Sequence, residues 1–333
     1  MSPREKNGKR VGRRRQDGFS MLEMMITLFI LLSVSGIVML AMMQMTNTQG
    51  SVANRTAMHS SVRSATELLQ QEIGQAGKIA LPTPANGGPT QMTTAIVVAD
   101  PVLGYTGAAS LDSVTGVYNG MLLVVDTGDQ EETVAATNLI TATKTFTGTF
   151  FLPHAANVPV RVGGAFASGI IPPNPPNTVN PSDGWNLKMY GDINDDGNMV
   201  YIVYKCDRAN GKLTRSVAAF TAALPGSDDL ILSNITNNPP DPGQTAFAPC
   251  FKYQVESASP NDYVVDVSVT LTVLSQNADP QTHQIQKETK ALLNVSPRNI
   301  FEGWQMAAGG VANRIQPPPP TVTTLNTNTT MVP

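Results

Sequence analysis

The sequence predicts an α+β fold, in which a long N-terminal helix, apolar enough in its first half to span a membrane, packs by its second half on an antiparallel β-sheet head with a small inserted β unit. Three observations predict it. Met24 to Met43 is a run of twenty residues without a formal charge. Met58, Val62, Ala65, Leu69, Ile73 and Ala76 recur at spacings of three and four, which draws one apolar stripe down a helix. Val265, Val267, Val269, Leu271 and Val273 alternate with Asp266, Ser268, Thr270 and Thr272, the period of a strand with one buried face and one wet face. With 333 residues and 41% hydrophobic side chains, the chain can bury a sizeable core.

Residues 1–18 carry seven basic side chains (Arg4, Lys6, Lys9, Arg10, Arg13, Arg14, Arg15) against Glu5 and Asp17. The remainder holds 15 basic and 23 acidic residues, so the formal charge of -3 conceals a net of -8 beyond the leader. A body that acidic has no general attraction for phosphate backbones, and no nucleic-acid partner is expected. At about 1.5 Å rise per residue, the uncharged run matches a hydrocarbon core of roughly 30 Å. The basic cluster precedes it and the next basic residue is Arg55, so the positive-inside rule places residues 1–18 in the cytoplasm and exports the rest. The run passes into Gln44, Met45, Thr46 and Asn47 without a small-x-small cleavage site, unlike an ordinary secretory signal. An uncleaved signal anchor is the plain alternative.

Gly18-Phe19-Ser20-Met21-Leu22-Glu23, after a basic leader and directly before a long apolar run, resembles the prepilin peptidase motif of the type IV pilins and type II secretion pseudopilins. The resemblance implies a cut between Gly18 and Phe19, methylation of the new Phe19 amino group, and incorporation of the mature chain into a pilus or pseudopilus. Glu23 then lies at the fifth mature position. A carboxylate at the edge of an apolar helix is costly unless paired, and a neighbouring subunit's Phe19 amine is a suitable partner in low dielectric. The alternative is a carboxylate snorkelling to interfacial water.

The domain plan that follows is a leader (1–18), a transmembrane or filament-core helix (19–45), an amphipathic second half (46–79), a loop-rich region (80–119), an inserted β unit (120–165), an antiparallel head (166–300) and a disordered tail (301–333). The helix is expected from about Phe19 to Lys78, softened at Gly36 and Gly50 and stopped by Gly77 and Pro82. In the loop-rich region only Ala95 to Val98 reads as a strand. The β unit offers strands at Met121 to Val125, Glu132 to Ala136, Lys144 to Phe151 and Val158 to Val162, separated by turn residues such as Thr127-Gly128-Asp129. A Pro-rich connector over 171–176 leads to strands at Met199 to Lys205, Lys212 to Val217, Asp262 to Leu274 and Gln284 to Asn294, expected in one antiparallel sheet. Four prolines at 317–320 with Thr and Asn repeats suggest a disordered tail. Residues 65–77, Tyr201 to Tyr204, Gly211 to Arg215 and Pro297 to Asn299 are similar to pieces of the larger PilW-type minor pilins.

Cys206 and Cys250 are the only cysteines, and both fall in the exported part, where a disulfide forms and persists; a bridge is expected, with two buried thiols as the alternative. Asp192, Asn194 and Asp196, with Gly197 next, match the first half of a calcium loop of the EF-hand type. The position for the closing carboxylate is Val203, so the alternatives are a calcium site completed from elsewhere or a plain Asx turn. His59, His154 and His283 show no metal-ligand spacing and read as surface or packing residues. No hydrolase, nucleotide or dinucleotide motif occurs, so an enzyme is not expected. The function implied is that of a minor pilin of the bacterial inner membrane, priming assembly or capping a fibre. Its partners would be the prepilin peptidase, the major pilin and other minor pilins, the inner-membrane assembly platform and membrane lipid. A secretion pseudopilin and a tip adhesin are the rivals.

Overall fold

The computed structural model describes residues 18–85, 87–173, 180–220 and 226–327. The seven basic leader residues, the end of the Pro-rich connector and the last six residues of the tail lie outside that set. Two compact units emerge: the described residues up to Ala53 together with 279–284, and residues 54–278 with those from 285 onward.

Helix α1 (Met21–Gln75) is 55 residues long. Its start is exposed throughout, consistent with a segment meant for lipid or protein neighbours rather than a water-facing surface. From Met58 the apolar stripe turns inward, and Val62, Ala65, Leu69, Ile73 and Ala76 are buried. The helix stops three residues before the predicted limit because Gly77 takes φ +79°; Lys78 N donates to the Gln75 carbonyl, and Asn299 Nδ2 donates to the carbonyls of Gln75 and Ala76, satisfying acceptors at the helix end.

The region expected to be loops contributes β1 (Gln91–Met92) and β2 (Tyr105–Ser110). The predicted strand at 95–98 is instead a lone bridge between Ile96 and His154. The β unit then runs through β3 (Leu122–Val125), β4 (Glu132–Ala135), β5 (Thr137–Ile140), β6 (Thr145–Phe150) and β7 (Val158–Val162), followed by the short β8 (Ala165–Phe166). These build two small antiparallel sheets, ordered β1-β7-β3-β4 and β2-β6-β5.

The head comprises β9 (Asn186–Gly191), β10 (Val200–Asp207), β11 (Lys212–Ala219), β12 (Asp228–Ser233), β13 (Ile235–Thr236), β14 (Phe251–Ala258), β15 (Asn261–Leu274) and β16 (Lys287–Val295). The single predicted sheet is in fact two. One is β12-β11-β10-β9, and the other centres on β15, which pairs with β13, β14 and β16. The alternation of β15 is as the pattern dictates, with Val265, Val267, Val269, Leu271 and Val273 buried; on the opposite face Thr272 is also buried, bonded to Asn238 and Thr289. Cys206 of β10 is bonded to Cys250, just before β14, across a separation of 44 residues. The bridge joins the two sheets, and a loop of this size contributes about 4 kcal/mol in the chain-entropy picture.

The β9–β12 sheet has a core on each face. Leu187, Met189, Ile202, Tyr204 and Leu213 pack with α1 and the β15 sheet, while Tyr190, Met199 and Tyr201 pack with the β unit. Strand β9 is buried at every position, so the inserted unit covers a sheet face that would otherwise be wet.

Residues 301–327 correct the expectation of a disordered tail. Helix α2 (Arg298–Ala308) seats Ile300, fully buried, where a Cβ on Gly77 would come within 2.7 Å of it. Strand β17 (Ile315–Gln316) pairs in parallel with β8, and α3 (Pro320–Thr327) follows. Gln316 accepts from Leu122 N at 2.9 Å and donates to the carbonyls of Leu122 and Gly163 at 2.9 and 3.0 Å. Tyr118 donates to the Pro317 carbonyl, and Val322 is fully buried in the second core. Compositional bias toward Pro and Thr did not reveal these few anchoring side chains. Replacing Gln316 with Leu should cost about 1–3 kcal/mol, since it leaves buried backbone groups unpaired. Thermal unfolding of the full chain checks this, and an unchanged midpoint would mean that the tail is not part of the core.

Candidate functional site

Gly18, Phe19 and Ser20 are exposed and non-helical, and α1 begins at Met21. The Gly18–Phe19 bond therefore lies in open chain, where a peptidase can draw it into an extended conformation without unwinding a helix. Met24 N donates to Ser20 O at 3.1 Å, the first bond of the helix. That makes Ser20 the residue before the helix and Glu23 the third within it, the Ser-x-x-Glu spacing of a helix start. A carboxylate in the first turn also suits the helix dipole. Glu23 is exposed, as are Phe19, Met21, Leu22, Met24 and Met25 around it, so the motif and the apolar face beside it are open to another molecule.

The second half of α1 is held to the head by one buried polar group. Glu72 occupies a stripe position, seven residues after Ala65 and fourteen after Met58, and is 4% exposed. Arg215 grips its carboxylate with both arms, Nη2 to Oε1 at 2.5 Å and Nε to Oε2 at 3.1 Å. Tyr204 donates to Oε2 at 2.6 Å. Tyr204 and Arg215 are direct cross-strand partners in β10 and β11, so one rung of the sheet presents both donors. Burial opposes the Arg215 charge, but the Glu72 hydrogen bond and charge raise its pKa overall. Burial first, then the Glu72 charge, raises the Tyr204 hydroxyl far above its ordinary value, which keeps its proton available for donation. The signal in the sequence was a lone glutamate at an apolar helical position.

His154 is fully enclosed, with Nδ1 at 3.1 Å from Asp126 Oδ2 and Nε2 at 2.7 Å from Glu132 Oε1. Glu132 also accepts from the amides of Phe151 and Leu152. The trio has the parts of an acid–base relay; its imidazole is enclosed while Asp126 and Glu132 stay partly exposed, and it fixes the ends of β4 and β6. Of the sequence alternatives for His154, packing is the one found; His59 is half-exposed and pairs with Glu288 at 2.6 Å.

The candidate calcium residues form a turn. Asp192 is buried, and its Oδ1 accepts from the amides of Asp196 and Gly197 at 3.0 and 3.2 Å. Its Oδ2 lies 3.2 Å from Lys78 Nζ, which also contacts Asp195. Asp196 caps the amide of Asn198, while Asn194 is exposed. Among the described residues no three His, Cys, Asp or Glu side chains are grouped to hold a metal.

A sequence profile of the prokaryotic N-terminal methylation motif matches residues 13–42. That range spans Gly18, Phe19, Glu23 and most of the apolar run, so the chain carries a prepilin-like N-terminal motif ahead of an α+β head. No curated protein and no solved structure matches the chain.

Truncating one partner of a buried ion pair strands the other charge and typically costs about 3–5 kcal/mol, whereas replacing both with apolar groups is often neutral. Glu72→Ala should therefore destabilise the chain strongly, and Glu72→Leu with Arg215→Met should recover most of the loss. Denaturant unfolding of the disulfide-intact protein checks both; a Glu72→Ala cost within experimental error of zero would remove the clamp.

Proposed function

We propose that this chain is a minor pilin of a type IV pilus, made as a single-pass precursor in the bacterial inner membrane with its leader in the cytoplasm and its head exported. The observation that carries the reading is the methylation motif at 13–42, set on an open Gly18–Phe19 bond directly before an exposed apolar helix. Prepilin peptidase cuts after Gly18 and methylates the Phe19 amine. The mature subunit enters the filament by packing α1 against the corresponding helices of the major pilin and other minor pilins, and Glu23 accepts the Phe19 amine of a neighbour. In a setting without water, that contact selects one axial register, because a displaced carboxylate would be left unpaired.

The second core added by the β unit and the C-terminal segment makes the head bulky. A bulky head suits a low-copy subunit that primes assembly on the inner-membrane platform or caps the tip. A secretion pseudopilin would use the same N-terminus. A tip adhesin is favoured by one observation: Val97, Val102 and Leu103 in the segment before the β unit and Phe151 within it are exposed. An enzymatic role is not part of this reading, in which the trio around His154 ties the ends of β4 and β6. Calcium binding would require displacing Lys78 from Asp192 and Asp195, and the turn at 192–197 is complete without it.

Three measurements test this reading. N-terminal mass spectrometry of the protein expressed with prepilin peptidase should find a chain starting at N-methylated Phe19, and without the peptidase one starting at Met1; an uncut chain in both overturns it. Glu23→Ala should leave membrane insertion intact but sharply reduce incorporation into fibres, and normal incorporation would remove the assigned role of Glu23. Calorimetric titration of the full chain with calcium to millimolar concentration should give no binding heat if 192–197 is a plain turn, and a saturable signal would establish a calcium site there.

A further inference from the structure

The connection between β15 and β16, residues 275–286, is long, and its tip belongs to the same compact unit as the first half of α1. Ser51 Oγ donates to Asp279 Oδ2 at 2.8 Å. The Pro280 ring lies 3.0 Å from the point where a Cβ on Gly50 would sit, so Gly50 is the residue that lets proline lie against the helix. Gln281 Nε2 donates to Thr48 Oγ1 at 2.9 Å. As the loop runs from 279 through 280 to 281, its contacts step down the helix from 51 through 50 to 48, so the tip advances toward the apolar end of α1. Its shape is set internally. Asp279 Oδ1 accepts from the amides of Gln281 and Thr282, and the Asp279 backbone exchanges bonds with His283 and Gln284.

The height of this tip is fixed by helix geometry. At about 1.5 Å per residue, Thr48 stands roughly 7 Å and Gly50 roughly 10 Å beyond Met43, where the uncharged apolar run ends. The headgroup zone occupies roughly the first 5–8 Å beyond the hydrocarbon on each side of a bilayer. Gln281, which reaches Thr48, and Thr282 next to it are exposed polar residues at the tip, while His283 and Gln284 turn back to the Asp279 backbone. The helix itself supplies no charged stop there, since no formal charge occurs between Glu23 and Arg55. A purely apolar and neutral segment could slide by a turn at little cost, and the docked polar loop would prevent it.

We infer that the tip at Gln281 and Thr282 is a membrane-surface contact, lying among phospholipid headgroups while α1 spans the bilayer and setting the depth of the helix. The inference rests on the membrane-spanning reading of α1. It is tested on the full chain in vesicles of phosphatidylethanolamine and phosphatidylglycerol. A fluorophore is attached at Thr282→Cys, with Leu32→Cys as a separate mid-helix control; the bonded Cys206 and Cys250 do not label without reductant. Headgroup-attached quencher lipid should reduce the Thr282→Cys emission at least twofold relative to the same protein in detergent, and acyl-chain quencher should reduce the Leu32→Cys emission. Quenching at position 32 without headgroup quenching at 282 overturns the surface contact alone and leaves the loop for a protein neighbour. Quenching at neither position overturns the spanning reading as well.

Discussion

The buried carboxylate of Glu72 is the constraint on which the head depends. An ionised group inside an apolar interface is tolerated only where its partners are in place, and here one rung of the β9–β12 sheet supplies them as the Arg215 fork and the Tyr204 hydroxyl. Apolar packing along the stripe would accept a helix rotated or slid by part of a turn. The polar contact accepts one position. It converts a greasy fit between helix and sheet into a registered joint, and it does so at the end of α1 farthest from the apolar run.

From that joint the layers follow in order. The face of the sheet that meets α1 is closed on its far side by β15 and its neighbours, and the bridge from Cys206 to Cys250 ties the two sheets covalently. The other face, lined by Tyr190 and Tyr201, needs its own cover, and the β unit with Val322 provides it. Gly77 and Asn299 mark the corner where the helix ends and α2 returns to close it. The carbonyls of this corner are satisfied by the Lys78 amide together with a side chain more than two hundred residues away in sequence.

Local periodicity made the strongest elements legible. The apolar run, the stripe from Met58 to Ala76 and the alternation in β15 each repeat over enough residues to define a face, and the motif around Gly18 and Glu23 is contiguous. Strand β9 was not legible, because a strand covered on both sides carries no alternation, and Asn186-Leu187-Lys188-Met189-Tyr190-Gly191 has a buried lysine and asparagine among its apolar residues. Nor were the division of the head into two sheets or the packing of the tail, which are decided by partners distant in sequence: Gln316 with Leu122 and Gly163, Ile315 with Ala165. Glu72 was visible only as a misfit in its stripe, and the meaning of a misfit appears when Arg215 is brought to it.

The parallel pairing of β8 with β17 carries a consequence for how the chain is made. It links residue 165 to residue 315, and the core it closes also takes Val322. On any path that delivers the polypeptide from its N-terminus onward, the β unit emerges early and must wait through some 150 further residues for the segment that seals it. Until then its phenylalanines and valines face whatever surrounds the growing chain. Closure of this flank is therefore a late event that waits for the segment from Ile315 onward, and a chain interrupted near residue 300 would keep its helix joint but leave one flank open to proteases and chaperones.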